Sequence, residues 1–145
     1  MKRILHVTFR VGNADYAVPA AEVLHLESFE QATHVPGVPS YVAGLVQTRG
    51  RLIPVIDLRV RFGLPPIEHS LDRRIVVVQV GTRVAGLLAD SAREVVRLDI
   101  AEFEKPPEIL EQQTAGFVKA VATVMKRLFL LVDVPRVIGE ELSHG

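Results

Sequence analysis

The stretch Val35–Phe62, VPGVPSYVAGLVQTRGRLIPVIDLRVRF, contains the densest pattern of turn and strand signals in this chain. Prolines at 36 and 39 argue against a helix at its start, because proline lacks an N–H donor and restricts the residue before it. Two apolar runs, Tyr41–Thr48 and Leu52–Ile56, flank Arg49-Gly50, where glycine takes a positive φ at little cost. The segment predicts a proline-bounded loop followed by a β-hairpin.

The same pattern of strands and turns continues on both sides of this segment. Upstream, Leu5–Val11 alternates apolar and polar residues like a strand with one buried face, which places His6 on the solvated face. Downstream, apolar runs are separated by turn residues such as Gly81-Thr82-Arg83. We count about ten short strands and one or two short helices, the last over Arg136–Leu142, which is typical of an all-β barrel or sandwich.

Length and composition bound the class of protein. The chain has 145 residues, of which 48% are hydrophobic and 23% charged, so it fits one compact domain or two small barrels that share a core. Seventeen basic residues balance seventeen acidic ones, and there are no cysteines. The longest uncharged runs, about ten residues, fall short of the ~20 that span a bilayer. We therefore expect a soluble, cytoplasmic protein without direct membrane insertion.

Catalytic motifs are absent from the sequence. It contains no P-loop, GxGxxG, GxSxG or HExxH pattern, and its five histidines lack zinc-ligand spacing. Asp57, Asp90 and Asp133 each end an apolar run, and we interpret them as caps of turns rather than as acid–base residues. We expect no catalytic, cofactor-binding or metal-binding residues; a hydrolase that joins one of these aspartates to a histidine is a minor alternative.

A cluster of arginines supports a second alternative, a small β-barrel that binds nucleic acid. Such barrels combine a basic face with aromatic platforms on which bases stack. Aromatic residues make up only 6% of this chain, and none is tryptophan. The phenylalanines at 9, 62, 117 and 129 lie in apolar patterns and are assigned to the core. The arginines in question are Arg49, Arg51, Arg59, Arg61, Arg73 and Arg74.

The order of motifs in Val35–Phe62 resembles that of the CheW family, whose members carry a proline loop, then Gly-x-x-Asn-Leu-Arg-Gly, then Pro-x-x-Asp-Leu-Arg. Segments outside it also fit the family, so the resemblance covers nearly all of the chain. These segments are Tyr16–Pro19, Glu22-Val23, Arg74–Val78, Val84–Asp90, Glu94-Val95 and Leu130–Asp133. The resemblance implies one CheW-like domain over residues 1–145, built from two SH3-like five-stranded β-barrels that share a core, with a soft division near residues 65–72.

The resemblance also implies a function and a set of partner-binding residues. CheW proteins are non-catalytic adaptors that couple the cytoplasmic tip of a chemoreceptor (a methyl-accepting protein) to the regulatory domain of a CheA-type histidine kinase. In that family the receptor tip docks in a groove near the junction of the barrels, at the inner face of the membrane. Carried over residue by residue, the partner-binding positions are Val23, His25, Gly44, Arg49 and Val95.

Each carried-over position has a structural alternative. Val23 and Val95 suit an apolar groove that buries a helical stripe, but they also suit the core. Gly44 would allow a partner backbone to approach closely, or it would only relieve a bulge. Arg49 offers a forked set of donors to a partner, to a carboxylate of its own chain, or to both.

Two positions depart from the family pattern. Gln47-Thr48 stands where the family commonly has Asn-Leu, and His25 stands where many members have a glutamate. The loss of a negative charge predicts a changed partner preference through electrostatic complementarity. A chemosensory system parallel to standard chemotaxis is therefore an additional setting for this chain.

Overall fold

The computed structural model describes residues 2–68 and 70–139. Within these ranges the chain forms ten strands, three short α-helices and two single turns of 3-10 helix, which confirms the predicted all-β class. The strands are β1 (Arg3–Val11), β2 (Ala14–Pro19), β3 (Val23–Ser28), β4 (Val42–Thr48), β5 (Arg51–Asp57), β6 (Arg74–Val80), β7 (Arg83–Ala89), β8 (Ser91–Asp99), β9 (Val118–Val124) and β10 (Arg127–Val132). The helices are α1 (Leu58–Arg61), α2 (Glu108–Gln113) and α3 (Val134–Ile138), and the 3-10 turns are Ala20–Glu22 and Ile100–Glu102.

The strands pair into two five-stranded sheets. The first sheet has the order β8-β1-β2-β10-β9 and the second has the order β3-β6-β7-β5-β4. Parallel pairs between strands distant in sequence, β2 with β10 and β5 with β7, complete each sheet. The chain enters the second sheet at residues 19–23 and returns to the first at 89–91. The segment 65–72, where we predicted a soft division, lies between two elements that belong with the second sheet.

The described residues form three buried apolar clusters. One lies within the first sheet, around Leu98 and Phe129, and one lies within the second, around Ile53 and Leu88. The largest cluster draws residues from both sheets, so the two subdomains share a core, as the resemblance implied. The four phenylalanines assigned to the core are all buried.

The three aspartates at strand ends have the structural roles that the sequence suggested, with one refinement. Asp57 accepts hydrogen bonds from two backbone amides of α1, and Asp133 accepts one from an amide of α3, so both cap helices. Asp90 instead accepts from Gly12 N at 2.7 Å and from Arg59 Nε at 2.9 Å. Gly12 follows β1 and Arg59 lies in α1, so Asp90 ties the first sheet to the second.

The expectation of a solvated His6 was wrong. Its side chain is buried, its Nδ1 lies 2.9 Å from the carbonyl oxygen of Ile4, and its ring meets the Phe103 ring edge-on at 5.8 Å between centroids. The strand period alone placed this face in water, but the segment after β8 folds back and covers it.

The predicted C-terminal helix begins two residues earlier than expected, at Val134, and α3 extends to Ile138. Asp133 and Pro135 set this start, because an aspartate caps the helix and proline fits its first turn. The remainder of the prediction, residues 140–142, lies outside the described residues. In the described part of the chain, no helix has the length and apolar character needed to cross a bilayer.

Candidate partner-binding surface

β3 supplies residues to two different surfaces. It is an edge strand of the second sheet, and its side chains alternate between exposed and half-buried. Leu24 and Leu26 are exposed, whereas His25 and Glu27 are half-buried. The consecutive residues Leu26 and Glu27 therefore face different surroundings, as the strand period requires.

The first surface is a groove lined by β1, β3 and β8, with a volume of about 110 Å³. We call it the β3–β8 groove, and its lining residues are Val7, Thr8, Leu26, Ala92, Arg93, Glu94 and Val95. Val95 is 58% exposed and Leu26 is 42% exposed. Two large apolar side chains thus stand open to solvent at one site, which marks a surface suited to a partner.

A β-bulge shapes the floor of this groove. The pairing of β1 with β8 shifts register between Val7 and Phe9, which leaves backbone groups of β8 without ladder partners. The buried hydroxyl of Thr8 donates to Glu94 O at 2.8 Å and accepts from Glu94 N at 3.0 Å. Thr8 therefore stabilises the bulge next to Val95 in the β3–β8 groove.

The second surface is a pocket of about 230 Å³ at the turn between β4 and β5. We call it the arginine pocket, and it is lined by Leu24, His25, Thr48, Arg49, Arg51, Ile53, Val77, Gln79 and Val84. Ile53 and Val77 are buried, while Arg49 and Arg51 are exposed. The pocket therefore combines apolar walls with two cationic side chains.

Four polar residues bridge β3 to the β4–β5 hairpin beside this pocket. Thr48 Oγ1 donates to Glu27 Oε1 at 2.6 Å, and His25 Nε2 lies 3.2 Å from the same oxygen and 3.3 Å from Thr48 Oγ1. Arg49 Nε lies 3.6 Å from Glu27 Oε1, and its side chain is 68% exposed. One carboxylate oxygen thus accepts from Thr48 and lies within 3.6 Å of nitrogens of His25 and Arg49. We call His25, Glu27, Thr48 and Arg49 the Glu27 cluster.

The structure divides the carried-over positions between these surroundings. Val95 lines the β3–β8 groove, and His25 and Arg49 line the arginine pocket. Val23 is half-buried and packs against the shared core, and Gly44 is buried. Val23 and Gly44 therefore line neither the β3–β8 groove nor the arginine pocket.

The local backbone structure explains why position 44 is a glycine. Its φ is +146°, and a Cβ on it would lie 2.2 Å from Thr33 O. Thr33 and Leu45 exchange two backbone hydrogen bonds of 2.9 Å, and the pairing of β4 with β5 shifts register between Val42 and Gly44. The close approach that Gly44 permits is thus to a segment of its own chain, which favours the bulge alternative.

Leu26 and Glu27 belong to these surfaces but were not among the predicted residues. The signal for Glu27 was present, because it lies two residues from His25 on the same strand. Leu26 had no such signal, since Leu24, two residues before it, lines the arginine pocket and the strand is irregular between Val23 and His25. The contact of Glu27 with Thr48 joins β3 and β4, the two edge strands of the second sheet, and has no local signal.

The arginine cluster behind the nucleic-acid alternative is mostly committed to contacts within the chain. Arg59 binds Asp90, and the guanidinium of Arg61 lies 3.6 Å from the centre of the Tyr41 ring while its Nε donates to Val137 O at 3.0 Å. These side chains stabilise the fold and do not form a free basic face, so that alternative loses its main support.

The hydrolase alternative also finds little support in the site geometry. In residues 2–68 and 70–139, no group of three or more histidine, aspartate or glutamate side chains is placed to hold a metal ion. The cavity that Asp133 lines contains no histidine among its lining residues.

Two five-stranded sheets around a shared core, with apolar and cationic recesses at the surface, define the chain as a small two-sheet β protein. Comparison with known proteins identifies its family. The sequence model of the CheW-like domain matches residues 5–142. The chain belongs to this family, which confirms the coupling-scaffold function expected from the motif of Val35–Phe62.

Individual relatives agree with this assignment. The chain is 31% identical over 139 residues to chemotaxis protein CheW of Bacillus subtilis, covering 96% of this chain and 89% of that one. It is 29% identical over 115 residues to protein PilI of Pseudomonas aeruginosa, covering 79% and 65%. The crystal structure of scaffolding protein TtCheW from Thermoanaerobacter tengcongensis superposes with a TM-score of 0.85 at 28% identity, covering 96% and 90%.

Proposed function

We propose that this chain is a non-catalytic, cytoplasmic adaptor that holds the tip of a chemoreceptor and the regulatory domain of a CheA-type histidine kinase at the same time. The observation that carries the proposal is that two separate recesses flank one edge strand of a CheW-like fold. An adaptor that binds two partners at once needs two such surfaces.

The β3–β8 groove suits the receptor tip. A helical tip offers an apolar stripe, and Val95 and Leu26 offer exposed apolar side chains to cover it. Burial of a valine or leucine side chain contributes roughly 1.5–3 kcal/mol. The groove is therefore able to supply anchors of the size that dominate transient interfaces.

The arginine pocket suits the kinase domain. Arg49 and Arg51 are exposed beside apolar walls, and arginine is enriched among the residues that carry binding energy. This assignment separates Arg49 from the receptor groove, beside which the resemblance had put it.

The adaptor acts through fixed geometry and needs no chemistry of its own. A receptor that changes conformation shifts the populations of kinase states only if the two proteins are held in a defined relation. The shared core supplies that rigidity, because the groove and the pocket are both built on elements that pack against it.

The test measures each partner separately. Binding of the receptor-tip fragment and the kinase regulatory domain encoded in the same genome is followed by calorimetry. We expect Val95→Glu to weaken receptor-tip binding at least ~10-fold and leave kinase binding within ~2-fold, since tenfold corresponds to about 1.4 kcal/mol. Arg49→Glu should show the reverse pattern.

The matched control is Leu71→Glu, which places the same charge on an exposed residue, 82% accessible, that lines neither surface. All three variants should keep their unfolding free energy within ~0.5 kcal/mol, as surface changes usually do. If the wild-type chain binds no receptor–kinase pair of its genome, the proposal is wrong. If Arg49→Glu unfolds the chain, Arg49 is structural and its role here is wrong.

A further inference from the structure

The two departures from the family pattern are in contact. His25 lies in β3 and Thr48 ends β4, and their side chains meet at 3.3 Å. Both also reach Glu27 Oε1, at 3.2 Å from His25 Nε2 and 2.6 Å from Thr48 Oγ1. The carboxylate that His25 does not provide is thus present two residues further along the same face of β3.

Glu27 also forms an ion pair with Arg49. The Nε of Arg49 lies 3.6 Å from Glu27 Oε1, which is longer than a hydrogen bond, while its terminal nitrogens hydrogen-bond to no residue within 2–68 and 70–139. A guanidinium drawn toward a carboxylate at its Nε edge presents the remaining N–H groups outward as a fork, which matches a second carboxylate. Arg49 is therefore paired within the chain and still open to a partner.

The surroundings of Arg49 define the chemistry of a matching partner. Arg51 is exposed, and in the described part of the chain no carboxylate pairs with it. The pocket walls beside both arginines are apolar, formed by Ile53, Val77 and Val84. A carboxylate next to an apolar side chain satisfies the cations and the walls together.

We propose that Glu27 is a positioning residue that determines partner specificity: it orients Arg49 so that the arginine pocket accepts a protein segment with a carboxylate beside an apolar side chain. This inference rests on the proposed function of the arginine pocket. It adds Glu27, which the family motif does not mark, to the partner-binding residues. It also places both departures from the family pattern, at His25 and Thr48, in the Glu27 cluster.

A purely structural role for Glu27 is the competing explanation. Glu27 pairs with Ile75 in the ladder between β3 and β6, and its bond to Thr48 links β3 to β4. Glu27→Gln separates the two roles, because a glutamine oxygen still accepts from Thr48 but carries no charge to hold Arg49.

The experiment is a double-mutant cycle on Glu27→Gln and Arg49→Gln, with calorimetric binding of the kinase regulatory domain from the same genome. We expect Glu27→Gln to weaken binding about fivefold in the wild-type background and less than ~1.5-fold in the Arg49→Gln background, because contacting residues that act together are non-additive. Glu30→Gln is the matched control, since Glu30 lines the same groove as Glu27 and Thr48 but, in the described residues, forms no hydrogen bond or ion pair with a member of the Glu27 cluster; it should leave binding unchanged.

Salt provides the readout for the partner's carboxylate. Raising the salt concentration should weaken wild-type binding more steeply than binding of Arg49→Gln, because the exposed pair is screened. If the affinities of wild type and Arg49→Gln fall equally with salt concentration, the partner does not present a carboxylate to Arg49 and the inference is wrong.

The outcomes distinguish this inference from the proposed function. If Arg49→Gln binds the kinase domain like wild type, the proposed role of the arginine pocket fails. If Arg49→Gln weakens binding but Glu27→Gln has the same effect in both backgrounds, or tightens binding, Glu27 does not act by positioning Arg49 and only this inference fails.

Discussion

Replacement of Asp90 by asparagine tests how the two sheets are joined. The Asp90 carboxylate accepts from Gly12 N at 2.7 Å, from Arg59 Nε at 2.9 Å and from Arg59 Nη2 at 2.8 Å. Arg59 Nη1 also donates to Pro65 O at 2.7 Å. Asp90→Asn keeps the size of the side chain but removes its charge, so the guanidinium loses its counter-charge.

The magnitude follows from these bonds. A hydrogen bond to a charged group contributes about 1.5–3 kcal/mol, and asparagine can keep the one from Gly12. Because Arg59 and Asp90 side chains are 14% and 15% exposed, water partly replaces what is lost. We expect a loss of about 2–3 kcal/mol in unfolding free energy, or roughly 5–10 °C in Tm.

The effect should depend on pH with a defined sign. Burial alone would raise the pKa of Asp90, but hydrogen bonds from Arg59 and Gly12 and the charges of Arg59 and Arg73 outweigh it, so the pKa lies below its ordinary value of 3.8. Since the unfolded chain then binds the proton first, the stabilisation is present above about pH 4 and is lost as the pH falls through the folded pKa. The difference between wild type and Asp90→Asn should shrink there.

Urea unfolding followed by circular dichroism measures these differences. Asp72→Asn is the control, because Asp72 is exposed and the same substitution there should change stability by less than ~0.5 kcal/mol. If Asp90→Asn unfolds within that margin of wild type at pH 7, the sheets are not held together by this carboxylate and the reasoning is refuted.

Two further predictions concern backbone conformation. Gly44→Ala should cost at least ~3 kcal/mol in urea unfolding, because its Cβ would overlap Thr33 O, whereas Gly50→Ala, where φ is +75° and the space is open, should cost about 1 kcal/mol; similar losses would contradict the overlap. Met125 and Lys126 form the β9–β10 turn with φ of 51° and 68°, so replacing them by Asn-Gly should stabilise the chain by about 1 kcal/mol in thermal unfolding, and no gain would show that the turn is unstrained.

The strands could be predicted from the sequence because their signal is local. Alternation in β1 and the glycine turn between β6 and β7 mark elements wherever they lie in the fold. The parallel pairings could not be predicted in this way. They join Phe129 to Asp15 and Val55 to Gly86, and no local pattern specifies a partner so far along the chain.

Burial was harder to predict than strand position. His6 was assigned to water by strand period, but a strand face is solvated only if nothing folds over it, and Phe103 does. The same limit applies to the candidate site. Family motifs marked Arg49 and Val95, but only the approach of the two edge strands of the second sheet shows that Glu27 forms an ion pair with Arg49.

The placement of both recesses on β3 has a mechanical consequence for an adaptor. Leu26 lines the β3–β8 groove and Glu27, the next residue, anchors Arg49 at the arginine pocket. Because the two residues share one main chain, a partner that displaces β3 at the groove must also move the Glu27 cluster. Two contacts resist displacement of β3: its pairing with β6, and the packing of Val23, at its start, against the shared core. If the groove and the pocket bind partners as proposed, a shift of this strand would couple the affinities of the two surfaces, and the reciprocity of coupling requires the effect to be equal in both directions.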